Sequence, residues 1–207
     1  MQGLWFKKIG MSQLFQEDGA LVPVTVLSTG RWIVLQIKTV ENDGYVAFQI
    51  GNVRDRYVRD EYNPEWLKRK HDYFERTCEI GLADENADVA VGIDINVETL
   101  FESAGIVTVV GYTTGRGFQG GVKRHGFSGG RGSHGDKLGR KPGSMGFMRS
   151  RGRVIKGWRM AGHYGTERRT IHNMLVIRKE KNEDGYHLMI KGSVPGKSKS
   201  FIYVQKA

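Results

Sequence analysis

Between Gly111 and Arg169 the sequence loses every periodicity that builds a hydrophobic core. These 59 residues hold 17 of the 29 glycines and 14 of the 32 lysines and arginines, against two of the 22 acids, Asp136 and Glu167. The stretch carries a net +12. The remainder, 18 basic against 20 acidic residues, carries −2, so the whole +10 excess of the chain lies in one segment. Few large apolar or β-branched side chains occur there. Such a segment cannot bury enough apolar surface to offset the entropy of ordering its backbone, so alone in water it is expected not to fold. A polyanion is the expected ordering partner.

Outside this segment about 148 residues of ordinary composition suffice for one compact domain. A pI near 9.7 points to nucleic acid or an anionic surface. No run approaches the ~20 apolar residues of a membrane span, and the start, MQGLWFKKIGM, lacks the order of a secretory signal. No membrane partner is expected. The single cysteine, Cys78, excludes an internal disulfide or a multi-thiolate metal site and fits a reducing compartment. It reads as a small hydrophobe at a helix end.

Turn chemistry divides the rest. Residues 3–15 read as a strand with a turn at 16–20. VPVTVLS (22–28), WIVLQIKTV (32–40) and YVAFQIGNV (45–53) follow, the last two joined by the Asn-Asp-Gly turn at 42–44. Four strands at this spacing predict a small antiparallel barrel or sandwich. Asn63 as N-cap, Pro64 at the first helical position, and the spacing of Trp66, Tyr73, Leu67 and Phe74 predict an amphipathic helix over 63–77, with Glu65–Arg69 as an i,i+4 pair. Asp84, Glu85 and Asp88 form an acidic surface loop. VAVGIDI (89–95), IVTVVGY (106–112), TIHNMLVIRKE (170–180), YHLMIKGSV (186–194) and SFIYVQ (200–205) read as strands, with a turn at 182–185. The predicted domain is therefore 1–112 with 170–207. Residues 113–169 form an arm inserted between strands, each limb reaching at most ~80 Å when fully extended.

Several motifs fail on their context. GRGFQG (115–120) satisfies G-x-G-x-x-G, but a dinucleotide site needs a helix to open there, and the glycines that follow disfavour one. GSVPGKS (192–198) is one residue short of a phosphate-binding loop and reads as a turn. His125, His134 and His163 lack thiolates and have one nearby carboxylate, Asp136, so no metal is expected. No nucleophile–base or paired-carboxylate arrangement stands out, and neither a cofactor, a small-molecule substrate nor catalysis is expected. The arm does have what RNA requires. Basic residues recur singly among glycines, which let backbone approach phosphate, and Phe118, Phe127, Phe147, Trp158 and Tyr164 offer flat faces for bases.

KKIGMSQLF (7–15), GRGFQGGVKRHGFSGG (115–130), SHG (133–135), PGSMG (142–146), GRVIKGWRMAGHYG (152–165) and KGSVPG (191–196) together resemble, in order, the large-subunit ribosomal protein L-three family of bacterial type. The resemblance implies a six-stranded β-barrel of the translation-factor type, a small helical excursion, and a long irregular Gly/Arg-rich arm threading into rRNA. It also implies early subunit assembly, neighbouring large-subunit ribosomal proteins as partners, and a tip at 143–152 near the peptidyl-transferase centre. The residues expected to touch RNA are Arg116, Phe118, Lys123, Arg124, His125, Arg131, His134, Arg140, Lys141, Phe147, Arg149, Arg151, Arg153, Lys156, Trp158, Arg159, His163, Arg168 and Arg169. The chain departs from the family at the tip. Phe147 stands where many bacterial members carry a methylated glutamine, so that modification is not expected, and Ser150-Arg151 stand where Thr-Pro is common. The region 54–105 is short and weakly matched. An RNA-modifying or nucleotide-dependent enzyme and a general RNA chaperone are the alternative readings.

Overall fold

The computed structural model describes residues 3–81, 90–95, 105–146, 148–150, 152–182 and 185–206. Among these the chain is mainly β. The strands are β1 (Gly3–Phe15), β2 (Leu21–Ser28), β3 (Trp32–Lys38), β4 (Ala47–Val53), β5 (Phe74–Gly81) and β6 (Ile106–Tyr112), then β7 (Phe118–Gln119), β8 (Gly162–His163), β9 (Arg168–Asn182), β10 (Gly185–Lys191) and β11 (Phe201–Lys206). Three short helices, α1 (Val40–Asp43), α2 (Lys70–Tyr73) and α3 (Gly121–His125), lie between them.

Alternation sets the first strand. Leu4, Phe6 and Lys8 are buried while Trp5, Lys7 and Ile9 are more exposed, the period-two signature of a sheet with one covered face. Leu4 lies opposite Val204 and Phe6 opposite Ile202 in the antiparallel pairing with β11. Six strands close on themselves in the order β1-β11-β6-β9-β10-β2. Their inward residues, among them Val107, Val109, Val176, Leu188, Ile190 and Leu27, form one core cluster. Burying each such side chain contributes on the order of 1.5–3 kcal/mol.

The four-strand reading of 3–53 needs correction. β3 and β4 do not enter the ring but form a separate three-stranded sheet, β3-β4-β5. The reason lies in Trp32-Ile33-Val34-Leu35, a continuous apolar run buried at every position. Trp32 and Val34 join the ring's core, whereas Ile33 and Leu35 face a second cluster of Val53, Trp66 and Phe74. A strand covered on both faces has no need of alternation. The 42–44 turn does connect paired strands, through the helical turn α1 rather than a two-residue hairpin.

The helix expected over 63–77 is also shorter than predicted. Asn63 caps as expected, its side chain accepting from the Glu65 amide at 2.9 Å, but the turn it starts is a 3-10 turn ending at Leu67. Arg69 has φ −126° and ψ 55°, outside the helical region, so Glu65 and Arg69 do not share a continuous helix. After α2 the chain becomes β5, with Phe74 and Ile80 buried and period two between them. The helical spacing of Trp66, Tyr73 and Phe74 came from an aromatic cluster. Trp66 stacks on Tyr73 at 5.2 Å and meets Phe74 edge-on at 6.1 Å. Cys78 therefore sits in β5, not at a helix end, where burial pushes its thiol up to about 12.

Asp84, Glu85 and Asp88 lie outside the described residues. Residues 90–95 are not a strand. A turn with Gly92 at φ +92° leaves one bridge, Ile33↔Asp94, onto the edge of β3, where Arg31 also holds the Asp94 carboxylate at 2.8 Å. GSVPGKS is a turn between β10 and β11, stapled by Lys8, whose buried ammonium donates to the Val194 and Gly196 carbonyls at 2.7 and 3.1 Å. Burial holds the Lys8 pKa below the ordinary lysine value.

The chain falls into two compact units, Met1–Gly111 with Arg169–Ala207, and Tyr112–Arg168. The second connects β6 to β9, which are neighbours in the ring.

Candidate nucleic-acid interface

The second unit contains, among its described residues, no buried apolar side chain; only Gly121 is buried. Backbone hydrogen bonds hold it instead. The two limbs run antiparallel, with the Thr113 amide donating to the Glu167 carbonyl at 3.0 Å and the Thr166 amide to the Thr113 carbonyl at 3.1 Å. The Arg116 amide reaches the Tyr164 carbonyl at 2.8 Å, and β7 pairs with β8 through Phe118↔His163 and Gln119↔Gly162. The Gln119 side chain donates to the Arg116 carbonyl. Gly165, at φ +80°, lies against the Thr114 carbonyl, a left-handed position with no room for a Cβ. The segment, expected not to fold alone in water, has its limbs paired through backbone groups here. Paired limbs satisfy backbone groups locally without a core.

A helix does open after GRGFQG, contrary to the argument from its glycines. It is α3, one five-residue turn ending at Gly126, with Lys123, Arg124 and His125 in its last turn, where cations suit the helix dipole. Arg124 Nη1 donates to the Met160 carbonyl at 2.9 Å, and His125 Nε2 lies 3.0 Å from the same oxygen, fastening the turn to the returning limb. The loop beyond is closed by Asp136. Its carboxylate accepts from the Leu138 amide at 2.7 Å and the Arg131 amide at 2.6 Å, bonds that hold it below the ordinary aspartate value of 3.8. The Gly130 amide donates to the Gly139 carbonyl at 2.7 Å.

This frame sets the basic and flat groups on the surface. Arg116 lies over the Tyr164 ring at 5.1 Å, and Phe118, 67% exposed, meets the His163 ring edge-on at 5.9 Å. His125 and Phe127 are 5.8 Å apart. Together with Leu138, Lys141, Pro142 and Arg159 they line an open depression of about 460 Å³. Lys123, Arg131, His134, Arg140, Arg149, Arg153, Lys156 and Trp158 are exposed, Arg149 in a 3-10 turn at Met148–Ser150. Arg168 and Arg169 open β9. Phe147 and Arg151 lie outside the described residues.

Of the expected site residues that are described, Arg116 to Arg168 lie in the second unit and Arg169 in the first. Asp136, whose role is to shape the loop, was not among them. Its signal was legible, since a lone acid two residues before Leu138 is an Asx-turn pattern. Phe127 and Tyr164 belong with the site, as faces against His125 and Arg116. Chemically the arrangement offers cations, ring faces and backbone amides on a surface without a core. Among the described residues no cluster of three or more His, Cys, Asp or Glu could hold a metal ion, and no helix is long and apolar enough to cross a membrane.

The profile of the family described as ribosomal protein L3 matches residues 61–187. The large ribosomal subunit protein uL3 of Streptococcus mutans serotype c is 41% identical over 208 residues, covering 100% of this chain and 97% of that protein. The large ribosomal subunit protein uL3 of Synechococcus sp. strain RCC307 is 39% identical over 207 residues, covering 99% and 94%. The likeness runs through both units, and the chain belongs to the ribosomal protein L3 family, a family of structural ribosome components and not of enzymes.

Proposed function

We propose that the chain is a structural constituent of the large ribosomal subunit that binds large-subunit rRNA through its 113–169 segment. In this reading 1–112 and 170–207 form a translation-factor-type barrel with its attached sheet, and the Gly/Arg-rich segment is an arm passing between rRNA helices. Lys123, Arg124, Arg131, Arg140, Lys141, Arg149, Arg151, Arg153, Lys156, Arg159, Arg168 and Arg169 contact phosphates. Arg116, Phe118, His125, His134, Phe147, Trp158 and His163 pack against bases and sugars. The 143–152 tip reaches toward the peptidyl-transferase centre without taking part in its chemistry, and binding early in assembly fixes the rRNA around the arm.

One observation carries the reading. The chain's entire charge excess sits on a segment whose limbs are paired through backbone groups but whose apolar and basic side chains, among the described residues, stay outside any core. Such a surface gains its affinity by releasing counterions from phosphates, and its exposed rings by stacking. The test is binding of the full chain to large-subunit rRNA and to unrelated structured RNA of equal length at matched salt. Preference of tenfold or more for the ribosomal RNA is expected. Equal affinity for both would replace this reading with a general RNA chaperone.

A further inference from the structure

We infer that the distal half of the β1–β2 hairpin is a protein-docking surface for an extended, lysine- or arginine-rich segment of a neighbouring subunit protein. The inference rests on the ribosomal reading above, because it places the partner in the same particle.

The ring covers β1 only as far as Lys7, opposite Phe201, with Lys8 and Ser200 closing the pairing. Beyond it β1 continues paired to β2 alone, from Met11↔Thr25 to Phe15↔Leu21. On its other side residues 10–15 have no strand partner among the described residues. An unpaired strand edge accepts another chain by strand addition. Register places Phe15, Leu21, Pro23 and Met11 on one face. Phe15 is 78% exposed, Met11 56% and Leu21 52%, a run of apolar surface that a solitary protein has no reason to leave in water. Beside it the hairpin and β9 form a depression of about 480 Å³ lined by Leu14, Phe15, Glu17, Asp18, Ile177 and Arg178.

Charge decides the kind of partner. From Ile9 to Val24 there is no lysine or arginine, and the only charges are Glu17 and Asp18, both exposed. The one cation lining the depression, Arg178, is held by Glu180 at 2.9 Å. RNA would meet two carboxylates and no unpaired cation there, which is unfavourable for a polyanion. A basic polypeptide meets complementary charge, an apolar anchor and a free strand edge together. Proteins that share an RNA-rich particle are themselves basic, so such segments are at hand.

The experiment introduces the photo-crosslinking residue p-benzoylphenylalanine at position 15 of the full chain, irradiates purified large subunits, and sequences the attached peptide. The expected product is one polypeptide, joined through a basic extended segment, with yield falling about tenfold in the E17K/D18K background while ring melting is unchanged. Attachment to rRNA or to a second copy of this chain would overturn the inference, as would a yield indifferent to charge reversal. Particles that contain the chain but give no crosslink refute the docking alone. Absence of the chain from the particles refutes both this inference and the ribosomal reading.

Discussion

Replacing Lys141, Lys156 and Arg159 together by glutamine removes three cations that make no intrachain ion pair among the described residues. The choice matters. Arg124 holds the Met160 carbonyl and Arg116 covers Tyr164, so changing those would loosen the segment as well as discharge it. Each phosphate contact contributes about 0.7–0.9 to the slope of log affinity against log salt, so the triple variant should flatten that slope by about 2–2.7. At about 0.1 M salt each contact is worth about 1.1 kcal/mol of counterion release, so three amount to about 3.3 kcal/mol, within a range of roughly 100- to 500-fold loss of affinity set by the slope. The assay is filter binding or fluorescence anisotropy with a large-subunit rRNA fragment across a salt series. Since all three side chains are exposed, the melting temperature should stay within about 1 °C of the parent. An unchanged slope with intact folding would refute the argument, because these charges would then not be meeting phosphate.

Three further outcomes follow from particular contacts. Lys8→Met leaves the Val194 and Gly196 carbonyls without their donor and should cost about 2 kcal/mol, read by calorimetry as a melting temperature lower by about 4–8 °C. A rise in melting temperature would show that the buried charge, not the hydrogen bonds, dominates. Gly165→Ala forces a Cβ against the Thr114 carbonyl at φ +80° and should weaken RNA binding with little change in ring melting; loss of both together would mean that the two units fold as one. Asp136 titrates below 3.8 when its loop is closed, so its contribution is present above that pH and lost as pH falls through the lowered value. Protection of the Arg131 and Leu138 amides, taken against intrinsic exchange at each pH, should fall as pH drops through the lowered value, and protection that stays constant as the carboxylate is protonated would contradict its role.

What was legible in the sequence depended on how local its cause was. The buried start of β1 and all of β11 follow the period-two pattern that a single covered face imposes, and β1, β2, β6, β9 and β11 were all readable to within two residues at either end. The partition of strands between ring and separate sheet was not, because it is set by pairings such as Leu4↔Val204, 200 positions apart. The run Trp32–Leu35 did signal burial on both faces, but nothing local says which cluster each face meets. Phe74–Gly81 shows the opposite error. Its alternation was present, yet aromatic residues at helical spacing masked it, since Trp66, Tyr73 and Phe74 touch across turns. In the basic segment the composition was readable and the order was not. Thr113, Tyr164 and Glu167 bond through backbone groups, which every residue carries alike, so no side-chain pattern announces the pairing.

The most direct test of the central claim is sedimentation of a cell lysate through sucrose at low and high salt, followed by detection of the chain across the gradient. A segment buried among rRNA helices predicts co-migration with the large subunit that survives the high-salt wash, because a threaded chain cannot leave when surface charges are screened. Recovery at the top of the gradient in both conditions would contradict the ribosomal reading. Release at high salt alone would contradict the threading of the arm.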